Sequence, residues 1–288
     1  MTVGKLLGWV RNHKWRAAFI AFSAFAIPCT AIAWRDTMAD PVVRRADVVL
    51  PGVPKSAPPL TIALLSDLHV ADPDMTPARL SRIVAQVNAL KPDYVMLAGD
   101  FITDRRLSLK NYAYRPALAP LAGLKPRVAT VAVLGNHDYW RDPVEGQREL
   151  ERIGAQVLTN TSAEIGPLTV IGVGDHLTRH ANYAAAFARV PAAAHGKAVV
   201  LSHGPDIVPS LPDDMPLTLV GHTHCGQVAY PWGGSPAYMS IYGNRYACGR
   251  IVEGKKTVFV TAGLGTSVLP FRFLVPPDLW LVTVRAPQ

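Results

Sequence analysis

Cysteine is scarce in this chain of 288 residues: Cys29, Cys225 and Cys248 are the only three. No two of them have zinc-finger spacing, which argues against a structural thiolate metal site. Charge is sparse as well. Only 17% of residues are charged against 49% hydrophobic, a balance that excludes a disordered chain and demands a sizeable buried core. Internal repeats and low-complexity segments are absent. Gly263-x-Gly265 lacks the third glycine and the following helix of a dinucleotide site, so a tight turn is its expected role.

The formal charge of +8 suggests a basic protein, but Lys5, Arg11, Lys14 and Arg16 supply half of it. The remaining 25 basic and 21 acidic residues are ordinary for a soluble domain, so no nucleic-acid partner is expected. No protein partner is indicated. Long hydrophobic runs are limited to one. Ala17 to Trp34 is an 18-residue stretch without a formal charge, near the lower limit for spanning a bilayer, and its cationic flank should stay cytoplasmic. A signal peptide has the same features, with Ala31-Ile32-Ala33 as a small-residue cleavage site. A buried helix of the globular domain is the third reading, and it leaves the basic flank without a role. Residues 1–40 are accordingly read as leader and anchor or signal, and 41–288 as an exported domain. Pro41 to Pro59 holds five prolines and suits a connecting segment, although Val48-Val49-Leu50 within it could form an edge strand.

What the domain does contain is a recurring pattern. Leu60 to Ser66 is apolar and ends in Asp67-Leu68-His69; Tyr94 to Ala98 ends in Gly99-Asp100; Val128 to Leu134 ends in Gly135-Asn136-His137-Asp138. Ala198 to Ser202 ends in His203, and Leu217 to Val220 in Gly221-His222-Thr223-His224. Each run has the length and composition of a buried strand, and each delivers a metal-type side chain at its C-terminal end, the edge where layered α/β folds build sites. Helical spacing follows Thr76-Pro77 and again Asp142-Pro143, and Ala181 to Arg189 reads as a short helix. The βαβ rhythm predicts a largely parallel core sheet, more mixed after Val228.

Carboxylates, imidazoles and one side-chain amide suit Mn²⁺, Zn²⁺ or iron. The set exceeds what one ion needs. Two divalent ions about 3.5–4 Å apart would use all of it and bind both an attacking hydroxide and a phosphoryl oxygen. Asp100, after a glycine that permits a tight turn, is the bridging candidate.

In this order the motifs resemble the calcineurin-like metallophosphoesterases, from about Leu60 to the C-terminus. The resemblance implies a four-layer α/β/β/α sandwich of two mixed sheets flanked by helices, here preceded by the N-terminal apolar helix. It assigns Asp67, His69 and His224 to one metal, Asn136, His203 and His222 to the other, and Asp100 to both. A metal-bound hydroxide would attack phosphorus in line, His137 would stabilise charge or protonate the leaving oxygen, and Asp138 would orient that imidazole. The Cys225-Gly226-Gln227 continuation, Gly263 to Ser267, Pro270-Phe271-Arg272 and Pro276-Pro277 resemble the membrane-anchored or exported bacterial branch, with phosphodiesterases of the YaeI and YkuE type. Many members of that branch carry glycine where Cys225 stands.

The expected activity is therefore hydrolysis of a phosphate diester at the outer face of the bacterial inner membrane, by a single-pass protein or a periplasmic form released after Ala33. The alternatives are a pyrophosphatase of the UDP-2,3-diacylglucosamine type, with a lipid-linked substrate and a cytoplasmic domain, and an envelope-binding module that keeps metals without turnover. Substrate-binding residues are not identified. Thr266, Ser267 and Arg272 are minor candidates, and Tyr230-Pro231-Trp232 with Tyr238, Tyr242 and Tyr246 could meet an acyl chain or simply pack a loop. His13, His176, His180 and His195 read as surface residues. In an oxidising compartment Cys225 and Cys248 could pair; two free thiols are the other reading.

Overall fold

A computed structural model describes residues 13–103 and 107–288; Lys5 and Arg11 of the basic leader lie outside the described residues. The helices are α1 (Lys14–Met38), α2 (Pro77–Ala89), α3 (Tyr114–Leu118), α4 (Asn136–Arg141), α5 (Pro143–Arg152), α6 (Tyr183–Phe187) and α7 (Ala192–His195). The strands are β1 (Val42–Val49), β2 (Leu60–Leu65), β3 (Ala71–Asp72), β4 (Tyr94–Ala98), β5 (Lys110–Asn111), β6 (Ala129–Val133) and β7 (Ala155–Val157), then β8 (Thr161–Ile165), β9 (Leu168–Gly172), β10 (Ala198–Leu201), β11 (Leu217–Val220), β12 (Gly249–Glu253), β13 (Lys256–Val260) and β14 (Asp278–Arg285).

Two six-stranded sheets form, in the orders β1-β14-β2-β4-β6-β7 and β12-β13-β11-β10-β9-β8. Most pairs are parallel, and β14 with β2, β12 with β13 and β8 with β9 run antiparallel. The period-2 alternation of each central strand explains the layers, because both faces carry apolar residues. Ala63 and Leu65 of β2 meet Leu80, Ile83 and Val87 of α2, whereas Ile62 and Leu64 meet Val199, Leu201 and Leu219 of the other sheet. On the far side Ile171, Ala198 and Val200 pack under Ala186 of α6. Helices, sheet, sheet and helices are thus stacked as four layers. The expected helix starts also form: Thr76 Oγ1 accepts from Arg79 N at 3.1 Å, and Asp142 Oδ1 from Glu145 N at 2.9 Å.

The segment after Pro41 contains the edge strand that Val48-Val49-Leu50 allowed, begun earlier than that reading had it. Val42–Val49 is a full edge strand, parallel to β14. Of its side chains only Val48 is buried, so hydrophobic alternation is too weak to announce a strand whose pairing partner lies at the far end of the chain. Ion pairs fix it there, Arg44 with Asp278 and Asp47 with Arg285.

Helix α1 contains the whole apolar stretch, continues through Pro28, and is long and apolar enough to cross a membrane. Its side chains are not core, since Phe19 is 70% and Phe25 71% exposed. Only its last turn is buried against the domain. There Thr37 Oγ1 accepts from Arg272 N, and Asp36 Oδ2 from Leu274 N, both at 2.7 Å.

Candidate metal centre

Five strands of the facing sheets end at one edge, and after three of them, β2, β4 and β11, the backbone turns sharply. The turns use left-handed backbone at residues other than glycine: φ is 54° at Asp67, 43° at His69, 56° at Asp100, 69° at His222 and 50° at His224. Such conformations cost about 1–3 kcal/mol each and persist where the surroundings impose them. Here the loops impose them on one another. Asp67 N donates to Gly99 O at 3.0 Å, His69 N to Asp100 O at 3.0 Å, and Gly221 N to His203 O at 2.8 Å. Gly135 and Gly221 permit the approach: a Cβ on either would lie 2.3 Å from Asp100 Oδ1 or 2.4 Å from Asp67 Oδ2, respectively.

The side chains so delivered form overlapping clusters whose ligand atoms lie within 4.8 Å of one another: Asp67 with His69 and His224, Asp100 with His203 and His222, and His69 with Asp100 and His137. Asn136 joins the second, its Oδ1 being 3.0 Å from His203 Nε2. Asp100 Oδ2 stands between the first two, 3.5 Å from His69 Nε2 and 3.2 Å from His203 Nε2. The other oxygen of Asp100 accepts from His137 N at 2.9 Å. His203 Nδ1 is 2.7 Å from Ala98 O, a group that only accepts, so Nδ1 carries a proton and Nε2 is the nitrogen that faces the cluster.

This donor set fits divalent cations. Imidazole nitrogens face each other at 3.1 Å twice, His69 Nε2 with His224 Nε2 and His222 Nδ1 with His203 Nε2, and Asp67 Oδ1 approaches His224 Nε2 at 3.4 Å. In each close pair one nitrogen donates and the other must present a lone pair, the kind of donor a divalent cation takes. The charges point the same way. Burial pushes Asp67 up to about 6, and burial with the neighbouring Asp100 pushes Asp138 up to about 7 against N–H bonds from Gly135 and Phe101. Burial opposes a charge on His203, yet Asp100 and Asp67 outweigh it and raise His203 well above its ordinary value. Burial and the nearby His203 lower His222 to about 4. Three carboxylates in one dry cluster are unfavourable by themselves, and bound cations offset that directly.

The structure corrects the role expected of Asp138. Its carboxylate accepts from Asp100 N and Gly135 N at 2.9 Å, Phe101 N at 3.1 Å and Tyr114 Oη at 3.2 Å. With those four donors around it, Asp138 ties the Gly99-Asp100 loop to the N-terminus of α4 instead of orienting the imidazole of His137. That ring lies edge-on to Trp140, centroids 4.9 Å apart, with Nε2 3.9 Å from Asp100 Oδ2. Tyr114 carried no signal in the sequence.

Arg272 is likewise no substrate contact. It is fully buried, and its guanidinium donates to Ala262 O, Gly263 O and Gly265 O while Nη2 lies 3.3 Å from His224 Nδ1. Burial lowers its pKa to about 10. The loop it holds presses on Asp67: Leu264 N donates to Ser66 O and Gly265 N to Asp67 O. Thr266 is buried and donates to Asp74. Gly263-x-Gly265 is therefore the tight turn, beside the candidate ligands, that its spacing suggested.

The remaining histidines stay outside the clusters. His180 is exposed and stacks on Tyr139, whereas His176 and His195 are half-buried beside Tyr183 Oη and Asp214. The aromatic loop divides: Tyr246 is core and bonds Glu253, while Tyr230 and Trp232 stack together in solvent. Cys225 and Cys248 are disulfide-bonded, with Cα atoms 4.7 Å apart.

Residues 60–226 match the calcineurin-like phosphoesterase family. The chain is 30% identical over 306 residues to a transmembrane protein with metallophosphoesterase domain from Danio rerio, covering 98% of this chain and 68% of that one. It is 31% identical over 224 residues to the phosphodiesterase YaeI of Escherichia coli, covering 73% and 77% of the two chains. Against the metallophosphoesterase YkuE of Bacillus subtilis the identity is 27% over 233 residues, covering 78% and 79%. A matched segment that contains every one of the clustered side chains leaves one assignment: the chain belongs to the calcineurin-like phosphoesterases and is a hydrolase of phosphoric esters.

Proposed function

We propose that the chain is a phosphodiesterase with a binuclear metal centre, held at the membrane by α1 with its domain on the exported side. The binuclear reading is carried by Asp100 Oδ2, which faces ligands of both clusters. Two divalent ions, Mn, Zn or Fe, would supply Lewis-acid activation of water and neutralise phosphoryl charge. Asp67, His69 and His224 would hold one, Asn136, His203 and His222 the other, and Asp100 both. The water oxygen bonds to phosphorus in line as one P–O ester bond breaks. His137, at the margin of the cluster, donates a proton to the leaving oxygen, and the proton that water gives up restores the imidazole or passes to solvent. Asp138 and Tyr114 keep Asn136 and His137 in place by fixing the start of α4. The preference for diesters is supported by the likeness to YaeI.

Membrane attachment is supported by length and by charge. Twenty-five helical residues extend about 37 Å, more than the hydrocarbon core of about 30 Å. Basic residues precede the apolar stretch, and the disulfide suits an oxidising compartment outside the cytoplasm. Cleavage after Ala33 would leave Asp36 and Thr37 on residues 272–274 and remove only the apolar part of α1, so the retained anchor rests on the length of that helix, which exceeds the hydrocarbon core. A cytoplasmic lipid-nucleotide pyrophosphatase would contradict both the charges and the disulfide.

The test is hydrolysis of a nitrophenyl phosphodiester and the matching monoester by the full chain in detergent, with Mn²⁺, Zn²⁺ and Fe²⁺ titrated and Asp100→Asn and His203→Ala run in parallel. Metal-dependent cleavage that favours the diester and disappears in both variants is expected. Faster monoester cleavage would overturn the diester assignment, and absence of turnover from protein holding two ions would favour a binding role.

A further inference from the structure

Phe25, Cys29 and Ala33 recur every fourth residue and so share one face of α1, with Trp34 beside them. Across from this face stand Val228, Phe271 and Phe273, and the open groove between the two walls offers about 520 Å³ with no charged side chain in its lining. That volume is ordinary for a small-molecule site, about 300–1,000 Å³. Its domain wall belongs to the catalytic loops. Val228 is four residues beyond His224, so the two are within about 14 Å along the chain. Phe271 and Phe273 flank Arg272, which reaches His224. The wall is built, not loose: Phe273 N donates to Gln227 O at 3.1 Å, Ala229 N to Phe273 O at 2.9 Å, and Asp36 and Thr37 clamp it to the end of α1.

One apolar surface therefore runs from the exposed face of the membrane-type helix to the loop that carries a metal-type ligand. Val268, Leu269 and Leu274, close in the chain to Phe271 and Phe273, are exposed as well. A soluble diester would leave this surface in water, where apolar patches are disfavoured. An acyl chain could slide along α1 from the bilayer into the groove while its phosphate reaches the clusters. A partner helix fits poorly, because a helix about 10 Å wide would find room for roughly one turn in this volume. We infer that the groove between α1 and the 271–273 segment is an acyl-chain site and that the substrate is a membrane lipid carrying a phosphodiester; this rests on the phosphodiesterase reading above.

Two measurements on the full chain test it. In nanodiscs, phosphatidylglycerol bearing a photoreactive diazirine on its acyl chain is crosslinked, and adducts are mapped by mass spectrometry. Adducts on Val228, Phe271 or Phe273 are expected in addition to those on α1, and Cys29→Trp, which fills the groove, should remove the domain adducts alone. Ala33→Phe serves the same purpose where Cys29→Trp does not fold. In detergent, lengthening the acyl chain of a diester from about four to twelve carbons should lower KM at least about tenfold. Cys29→Trp should raise that KM at least tenfold more than it raises KM for the nitrophenyl diester. Adducts confined to α1, domain adducts indifferent to Cys29→Trp, chain-to-chain crosslinks in place of lipid adducts, or a KM independent of chain length would each overturn the inference. Mapping needs no turnover. Groove adducts without nitrophenyl diester cleavage would thus retain the acyl site and remove the hydrolase reading.

Discussion

Replacing Arg272 by methionine tests how the candidate centre is held together. The guanidinium is fully buried, and of the carbonyls it bonds within 3.1 Å, Ala262 O and Gly265 O have no other hydrogen bond among the described residues, whereas Gly263 O keeps Asp278 N at 3.3 Å. Methionine fills much of the volume but donates nothing. Two orphaned carbonyls at about 1–3 kcal/mol each place the loss near 2–6 kcal/mol. For a domain of this size a kilocalorie moves Tm by about 2–4 °C, so a fall on the order of 10 °C is expected. The loop released is the one whose Leu264 N and Gly265 N bond Ser66 O and Asp67 O, and the lost side chain also abuts His224. Metal content should fall together with Tm. Arg272→Lys, with three donors on one nitrogen, should lie between the wild type and Arg272→Met. Differential scanning fluorimetry gives Tm, and metal analysis after dialysis gives occupancy. An Arg272→Met protein that melts within about 2 °C of the wild type and retains its ions would refute the claim that these carbonyl bonds hold the ligand loop.

Other perturbations probe separate parts of the molecule. A Cβ on Gly221 would lie 2.0 Å from Ser66 Oγ and 2.4 Å from Asp67 Oδ2, so Gly221→Ala should destabilise by about 1–3 kcal/mol and weaken metal binding; normal affinity would show that Asp67 tolerates displacement. Removing the disulfide as Cys225→Ser with Cys248→Ser frees a crosslink spanning 23 residues and should cost about 3 kcal/mol, read as a lower Tm that reductant reproduces in the wild type. Burial pushes Asp93 up, but hydrogen bonds from Arg127 and Thr61 outweigh it and hold the group below the ordinary carboxylate value. Its contribution is therefore present above the unfolded value of about 3.9 and lost as pH falls through the lower folded one. Asp93→Asn should lower stability near neutral pH and flatten the acid decline in denaturant titrations; an unchanged acid limb would count against this.

The candidate ligands were legible because they are local features of the chain. A buried strand needs a short apolar run, and a carboxylate or imidazole at its end has no packing reason to be there, so Asp67, His69, Asp100, Asn136, His203, His222 and His224 stand out without any contact map. Capping also reads locally: Thr76-Pro77 and Asp142-Pro143 start helices wherever they occur in such a pattern. Of edge strand β1 only the end at Val48-Val49 was visible, since its stability comes from pairing with β14 and not from burying its own side chains. Arg272 and Asp138 were visible as residue types and misread in role. Their partners are backbone carbonyls and N–H groups of distant loops, which carry no side-chain signature.

The order and chemistry of the candidate ligands, the βαβ layering and the apolar leader were determined by the sequence alone, because each depends on spacing along the chain. Tertiary structure alone decided that Asp100 Oδ2 lies between His69 and His203, that Asp138 faces backbone donors, and that the end of α1 is clamped to the loop beside His224. These depend on which groups the folded loops bring within hydrogen-bonding range, and that range is set by pairings between residues far apart in the chain.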